Sequence, residues 1–259
     1  MKIAVVGKGG SGKTTISATL SRLLARRGFS VVAVDGDPNP NLATALGIST
    51  QQAGRLRPLP TDLITPVSDD EGAITLTMTR SKGEVEAECG LPAPDGVTLL
   101  LGSQVEKAGR GCLCSQHATV RGLMGEMVLG ARDVILLDME ASIEHLSRGT
   151  IAQAERLLIV VEPYYRALET AGRIATLAPQ LGIPAVMAVG NKVRSLEDEA
   201  AIRQYCAKHE IPIGAMVPYD DCVGEADRRG MALLDHAPDS QAVAALTQLA
   251  SRLAGLSSN

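Results

Sequence analysis

The chain has 259 residues, with 25 Lys+Arg against 29 Asp+Glu and a formal net charge of -4. Hydrophobic residues make up 45% and charged residues 21%, which excludes a disordered, collagenous or disulfide-scaffold chain and leaves room for one large core. Aromatic residues are only 2%, with no Trp, so base-stacking surfaces are scarce, and the mild acidity speaks against nucleic acid as a partner.

In chain order, continuous apolar runs bounded by turn residues predict strands at residues 3–7, 31–35, 97–102, 134–138, 157–161, 185–190 and 213–217. Helical stripes lie between them, such as Ile16, Leu20, Leu23 and Leu24, or Ile174, Leu177, Ala178 and Leu181. The final stripe, Val243, Leu246, Ala250 and Leu253, reads as a packing helix without a cationic face. Buried strands alternating with amphipathic helices predict an α/β fold in a single domain, 1–259, with a mostly parallel central sheet flanked by helices. Residues 51–96 interrupt the rhythm. Pro58, Pro60, Pro66 and the acidic Asp69-Asp70-Glu71 read as a surface excursion. The alternating pair 74–79 and 84–87, around Ser81-Lys82-Gly83, predicts a small antiparallel hairpin on the sheet edge.

No apolar stretch approaches the roughly 18 residues that cross a bilayer, and the first apolar run is too short for a signal peptide, so a cytoplasmic protein with no membrane partner is expected. The five cysteines, Cys89, Cys112, Cys114, Cys206 and Cys222, are then reduced thiols.

The segment Gly7-Lys8-Gly9-Gly10-Ser11-Gly12-Lys13-Thr14 fits G-x-x-x-x-G-K-[ST] directly after a strand and at the opening of a helix, which is the context a phosphate loop requires. Its backbone N–H groups converge on phosphates, Lys13 reaches the β and γ oxygens, and the Thr14 hydroxyl is placed to hold Mg²⁺. The second lysine, in Lys8-Gly9-Gly10-Ser11-Gly12-Lys13-Thr14-Thr15, resembles the deviant Walker A loop of the P-loop NTPases that include nitrogenase iron protein, arsenite-pump ATPases and the partition and division-site ATPases. That resemblance implies an ATP-promoted homodimer in which Lys8 crosses to the partner's phosphates; a solvated lysine is the plainer alternative. It also implies that Asp37, before Pro38, positions the attacking water or a magnesium water, with Asp35 behind it, although either aspartate could simply cap a turn. Asp138, ending an apolar strand, stands where the Walker B carboxylate belongs. Asn191-Lys192-Val193-Arg194 resembles the guanine-reading N-K-x-D element with Arg in place of its last Asp, so ATP is favoured over GTP. Asn191 is then expected on the adenine edge, with Lys192 beside it and Pro218, Tyr219 and Asp220 closing the pocket; a helix-capping asparagine is the alternative.

Cys112-Leu113-Cys114 places two thiols at i and i+2 on backbone expected to be extended. The pair is compatible with half of a Cys₄ site completed by a symmetric partner, with two packed or solvent-facing thiols, or with a strained local disulfide. The loop, the segment 34–38, the C-x-C, the segment 138–150, Glu162-Pro163 and the segment 191–194 occur in an order that resembles the CooC-type accessory ATPases of nickel carbon monoxide dehydrogenase. This resemblance implies an ATPase that binds Ni²⁺, or Zn²⁺ in its place, through Cys112 and Cys114 of two subunits and serves that dehydrogenase as client. Two other readings remain: an iron–sulfur or electron-transfer ATPase like nitrogenase iron protein, and a partition or division-site positioning ATPase. Ser142 departs from the glycine expected in the switch after Asp138, Ser11 from a common valine, and His117 and His145 are conceivable further ligands by type.

Overall fold

A computed structural model describes residues 1–37, 39–68, 74–102, 114–127, 129–139 and 151–255. Each of the seven predicted apolar runs is a strand, and the central ones are buried on both faces. The chain order begins β1 (Lys2–Gly7), α1 (Lys13–Ala25), β2 (Ser30–Asp35), α2 (Leu42–Leu46), α3 (Thr50–Ala53), β3 (Ile64–Ser68), β4 (Ile74–Met78), α4 (Lys82–Cys89), β5 (Leu91–Pro92) and β6 (Thr98–Leu101). It continues with α5 (Cys114–Glu126), β7 (Asp133–Asp138), β8 (Arg156–Val161), α6 (Tyr165–Leu177), β9 (Ala185–Val193) and α7 (Leu196–Lys208). β10 (Ile213–Pro218), α8 (Asp221–Arg228), α9 (Leu233–His236) and α10 (Gln241–Gly255) complete the fold.

Among the described residues the main sheet has eight strands in the order β10-β9-β8-β1-β7-β2-β6-β5. All neighbours run parallel except the short β5, which pairs antiparallel with β6. Alternation along β1 shows why the apolar runs are unbroken. Ala4 and Val6 face a core completed by Val120 and Leu123 of α5, Ala171 and Ile174 of α6 and Ile202 of α7. Ile3 and Val5 face the opposite core, with Ile16, Leu20 and Leu24 of α1 and Val243, Leu246 and Leu253 of α10. A strand covered by helices on both sides has no solvent face, so every position is apolar. Among the described residues, no helix is long and apolar enough to cross a membrane.

The excursion departs from expectation in two ways. Residues 84–87 lie in α4, not in a strand, and β4 pairs instead with β3, from Ile64↔Met78 to Ser68↔Ile74, as a two-stranded sheet separate from the main one. The reason is local: Ser81 and Glu84 form a capping box, the Glu84 carboxylate accepting from the Ser81 N–H at 2.7 Å, and this starts a helix where alternation alone predicts a strand. Nor does the whole excursion lie on the surface. Leu59, Leu63 and Val85 join the core beneath α5.

Candidate functional site

The phosphate loop connects β1 to α1 across the carboxyl end of the sheet, where open α/β sheets place their ligands. Gly7 is required by close approach, because a Cβ there would strike the Val160 carbonyl of the adjacent β8. At Gly12 the backbone is left-handed, with φ 94°, and a Cβ would collide with the Asn191 amide. Gly12 also brings no side-chain cap to α1, so the first turn of that helix presents N–H groups to the loop. Lys13 is buried with its Nζ 3.3 Å from the Lys8 carbonyl oxygen, which also accepts from the Ser11 N–H at 3.1 Å. The Lys8 side chain itself is exposed, as are Gly9 and Gly10.

Beside the loop, β2 and β7 are neighbours in register, with Asp35 opposite Asp138. Both carboxylates are only 2% exposed. Burial pushes the Asp35 carboxyl up to about 7, although the N–H groups of Leu42 and Asp37 donate to it at 2.9 and 3.2 Å. Burial likewise raises Asp138 to about 6, against the lowering influence of the Thr14 and Ser17 hydroxyls and of Lys13; Ser17 Oγ donates to Asp138 Oδ1 at 3.0 Å. Asp138, beside the Thr14 and Ser17 hydroxyls, presents hard oxygen donors, the chemistry that suits Mg²⁺. Asp37 is half-buried, and its Oδ1 accepts from the Asn39 N–H at 2.8 Å, so one of its oxygens does cap its own turn.

On the other side of the loop lies a cleft of about 190 Å³ lined by Gly12, Thr15, Asn191, Lys192, Pro218, Tyr219 and Asp220. Asn191 Nδ2 donates to the Ser11 carbonyl at 2.7 Å, and Lys192 Nζ donates to the Gly10 carbonyl at 2.6 Å while pairing with Glu162 at 2.9 Å. The Arg194 guanidinium stacks on the Tyr219 ring, 3.5 Å from its centroid. Asp220 caps α8 through the Cys222 N–H at 3.0 Å.

Residues 2–234 match the CobQ/CobB/MinD/ParA nucleotide binding domain, the family CbiA. The chain belongs to this family. It is a P-loop ATPase, and several relatives cover nearly its whole length. It is 38% identical to the carbon monoxide dehydrogenase accessory protein CooC of Rhodospirillum rubrum, over 92% of this chain and 91% of that one. It is 36% identical to an uncharacterised ATP-binding protein of Methanocaldococcus jannaschii, over 89% and 90% of the two chains. Among solved structures, the cell division ATPase MinD of Pyrococcus furiosus superposes with a TM-score of 0.68 at 23% identity, covering 98% of each chain, a likeness of fold. The CooC-type resemblance read from the motifs is thus carried by the chain as a whole.

The structure brings the phosphate loop, Asp35, Asp37, Asp138, Asn191, Lys192 and the segment 218–220 to one end of the sheet. Cys112 lies outside the described residues, as do Ser142 and His145. The Cys114 backbone opens α5, so it is helical where extended backbone was expected. Among the described residues, no group of three or more His, Cys, Asp and Glu is placed to hold a metal. Sequence reasoning missed Ser17, one turn beyond Thr14 on the same helix, and the part played by Glu162. It also missed that Val223, Leu233, Ala242 and Leu246 line the base-side cleft; the terminal helix, read only as packing, forms one of its walls.

Proposed function

We propose that the chain is a homodimeric, ATP-dependent accessory protein that handles nickel, or zinc in its place, and assists assembly of the nickel-containing cluster of a carbon monoxide dehydrogenase. The observation that carries this reading is the 38% identity to CooC across 92% of the chain, far beyond the shared loop. The C-x-C of Cys112 and Cys114 supports it by supplying two soft ligands, which a symmetric partner would complete to four.

ATP enters with its phosphates on the loop and its base in the cleft lined by Asn191, Pro218 and Tyr219. With Nδ2 committed to the Ser11 carbonyl, Asn191 offers its remaining group, Oδ1, as an acceptor. Adenine's exocyclic amine can donate to it; guanine presents a carbonyl there and would be repelled. Lys13 neutralises the β and γ phosphates, and Lys8 does the same from the partner subunit. Thr14 and Asp138 would hold Mg²⁺, which offsets charge on the transferring phosphoryl group. Asp37 orients the water that attacks the γ-phosphorus as the bond to ADP breaks. Closure of the dimer by ATP would bring the two cysteine pairs together, and hydrolysis would separate them. Metal and ATP affinities must then change by the same factor.

Anaerobic titration of the reduced protein with Ni²⁺ or Zn²⁺, with and without Mg-ATP, tests this reading when mass is followed by light scattering. One metal per dimer is expected, with affinity altered by ATP and lost in Cys112→Ala/Cys114→Ala. Metal binding that survives the double substitution, or nickel that leaves dimerisation and ATP affinity unchanged, would remove the metal-handling role. Lys8→Ala should retain ATP binding and lose ATP-promoted dimerisation; a dimer that forms normally would sink its cross-subunit role.

A further inference from the structure

Three loop carbonyls accept from side chains: Lys8 from Lys13, Gly10 from Lys192 and Ser11 from Asn191. A trans peptide is planar with its C=O and N–H opposed, so fixing a carbonyl on one side aims the next N–H to the other. The Gly10–Ser11 peptide is held at both ends, its oxygen by Lys192 and its N–H by the Lys8 carbonyl at 3.1 Å. The Ser11–Gly12 peptide is held only by its oxygen, which leaves the Gly12 N–H turned away from Asn191.

Lys192 reaches Gly10 from an unusual backbone. It sits in the left-handed region at φ 59°, where a side chain costs energy and glycine does not. Strain of this kind persists only where the surroundings hold it. Here its Nζ is bracketed by the Gly10 oxygen at 2.6 Å and Glu162 Oε1 at 2.9 Å. Glu162 follows β8 and is largely buried, with 13% of its side chain exposed against 39% for Lys192. The pair carries no net charge, so it adds little attraction for phosphate. What it supplies is a fixed hydrogen-bond donor to the loop.

We infer that Lys192 and Glu162 form a positioning pair that holds the phosphate loop in its binding geometry through the Gly10 carbonyl; Lys192 also lines the base-side cleft, but its Nζ is committed to the loop and to Glu162. This rests on the reading that nucleotide phosphates occupy this loop, and it assigns Glu162 a part that neither the motif nor the relatives supply. A residue acting through the loop must weaken ATP and ADP alike, because both nucleotides use the loop. A lysine touching the γ-phosphate would weaken ATP alone.

The test is calorimetric titration of the full chain with Mg-ATP and with Mg-ADP, alongside thermal unfolding. Lys192→Gly removes the side chain and relieves the left-handed backbone, so it should fold with an unlowered midpoint yet bind both nucleotides about tenfold or more weakly, the scale of a hydrogen bond from a charged donor. Lys192→Gln keeps the native backbone demand and should weaken both nucleotides in the same direction. Glu162→Gln should also weaken both, and combining it with Lys192→Gly should add nothing further, as expected of partners in one interaction. Weakened ATP binding with wild-type ADP binding would overturn the inference, as would Glu162→Gln binding both nucleotides at wild-type strength. Wild-type affinity in Lys13→Ala would be a separate failure, overturning the placement of the nucleotide itself.

Discussion

The two sides of the phosphate loop are built on opposite electrostatic principles. On the β2–β7 side, Asp35 and Asp138 are buried at opposed positions of adjacent strands, and burial raises both carboxyls, to about 7 and about 6. On the β9–β10 side, charges are compensated: Lys192 is paired with Glu162, Arg194 lies on Tyr219, and Asn191 is neutral. The first side concentrates negative charge that a divalent cation would stabilise, and the second is a finished surface shaped to receive a neutral ring. Catalytic sensitivity should therefore concentrate at the carboxylates and recognition at the amide end.

The sharpest way to break this contrast is Asp138→Asn. ATP hydrolysis should fall on the order of 100-fold, as when one preorganised electrostatic group is removed, while the metal-free protein becomes more stable at neutral pH. The sign follows from the raised carboxyls. Between the ordinary value of 3.8 and the folded values near 6 and 7, the folded state binds more protons than the unfolded one, so stability falls as pH rises through that window. Unfolding in EDTA should show this decline from about pH 4 to 7 in wild type and a shallower one in Asp138→Asn, a tenfold change in a carboxyl's proton affinity being worth about 1.4 kcal/mol. A flat profile in wild type would mean that the two carboxylates are not held as buried acids. Asn191→Ala comes next: steady-state kinetics should give a KM for ATP raised about 10- to 100-fold and a weaker preference over GTP, since both the loop brace and the acceptor are lost. The smallest effect is expected from Arg194→Ala, which removes a stacking contact worth about 0.5–1 kcal/mol at an exposed site; nucleotide affinity should drop less than about fivefold. A larger loss there would show that the rim of the cleft, not the Asn191 end, governs base binding.

Much of this architecture is legible in the sequence because its signals are contiguous. A strand buried on both faces is an unbroken apolar run, and Gly7 through Thr14 needs no distant residue to be recognised. The hairpin partner is obscured because two local signals compete. Glu84-Val85-Glu86-Ala87 alternates like a strand, but Ser81 caps it into a helix, and burial of Val85 against the sheet stabilises that outcome. The base-side cleft is half legible. Asn191 and the segment 218–220 lie at strand ends, where ligands are expected, but Val223, Leu233 and Leu246 come from three helices that only tertiary packing brings together. The link from Glu162 to Lys192 spans two neighbouring strands and has no signature in spacing.

The position of β1 has a consequence for synthesis. The first strand of the chain lies inside the sheet between β7 and β8, pairing Lys2 with Ile135 and Ile3 with Arg156. Both of its edges therefore stay bare on the ribosome until β7 and then β8 have emerged, a wait on the order of ten seconds at ordinary elongation rates. Throughout that time the nascent chain carries the unpaired apolar strand Ile3-Ala4-Val5-Val6, already joined to its helix but without a sheet to enter. The nucleotide loop is thus made well before the strands that fix its shape, so a chain stalled between them exposes its aggregation-prone strand before it can bind ATP.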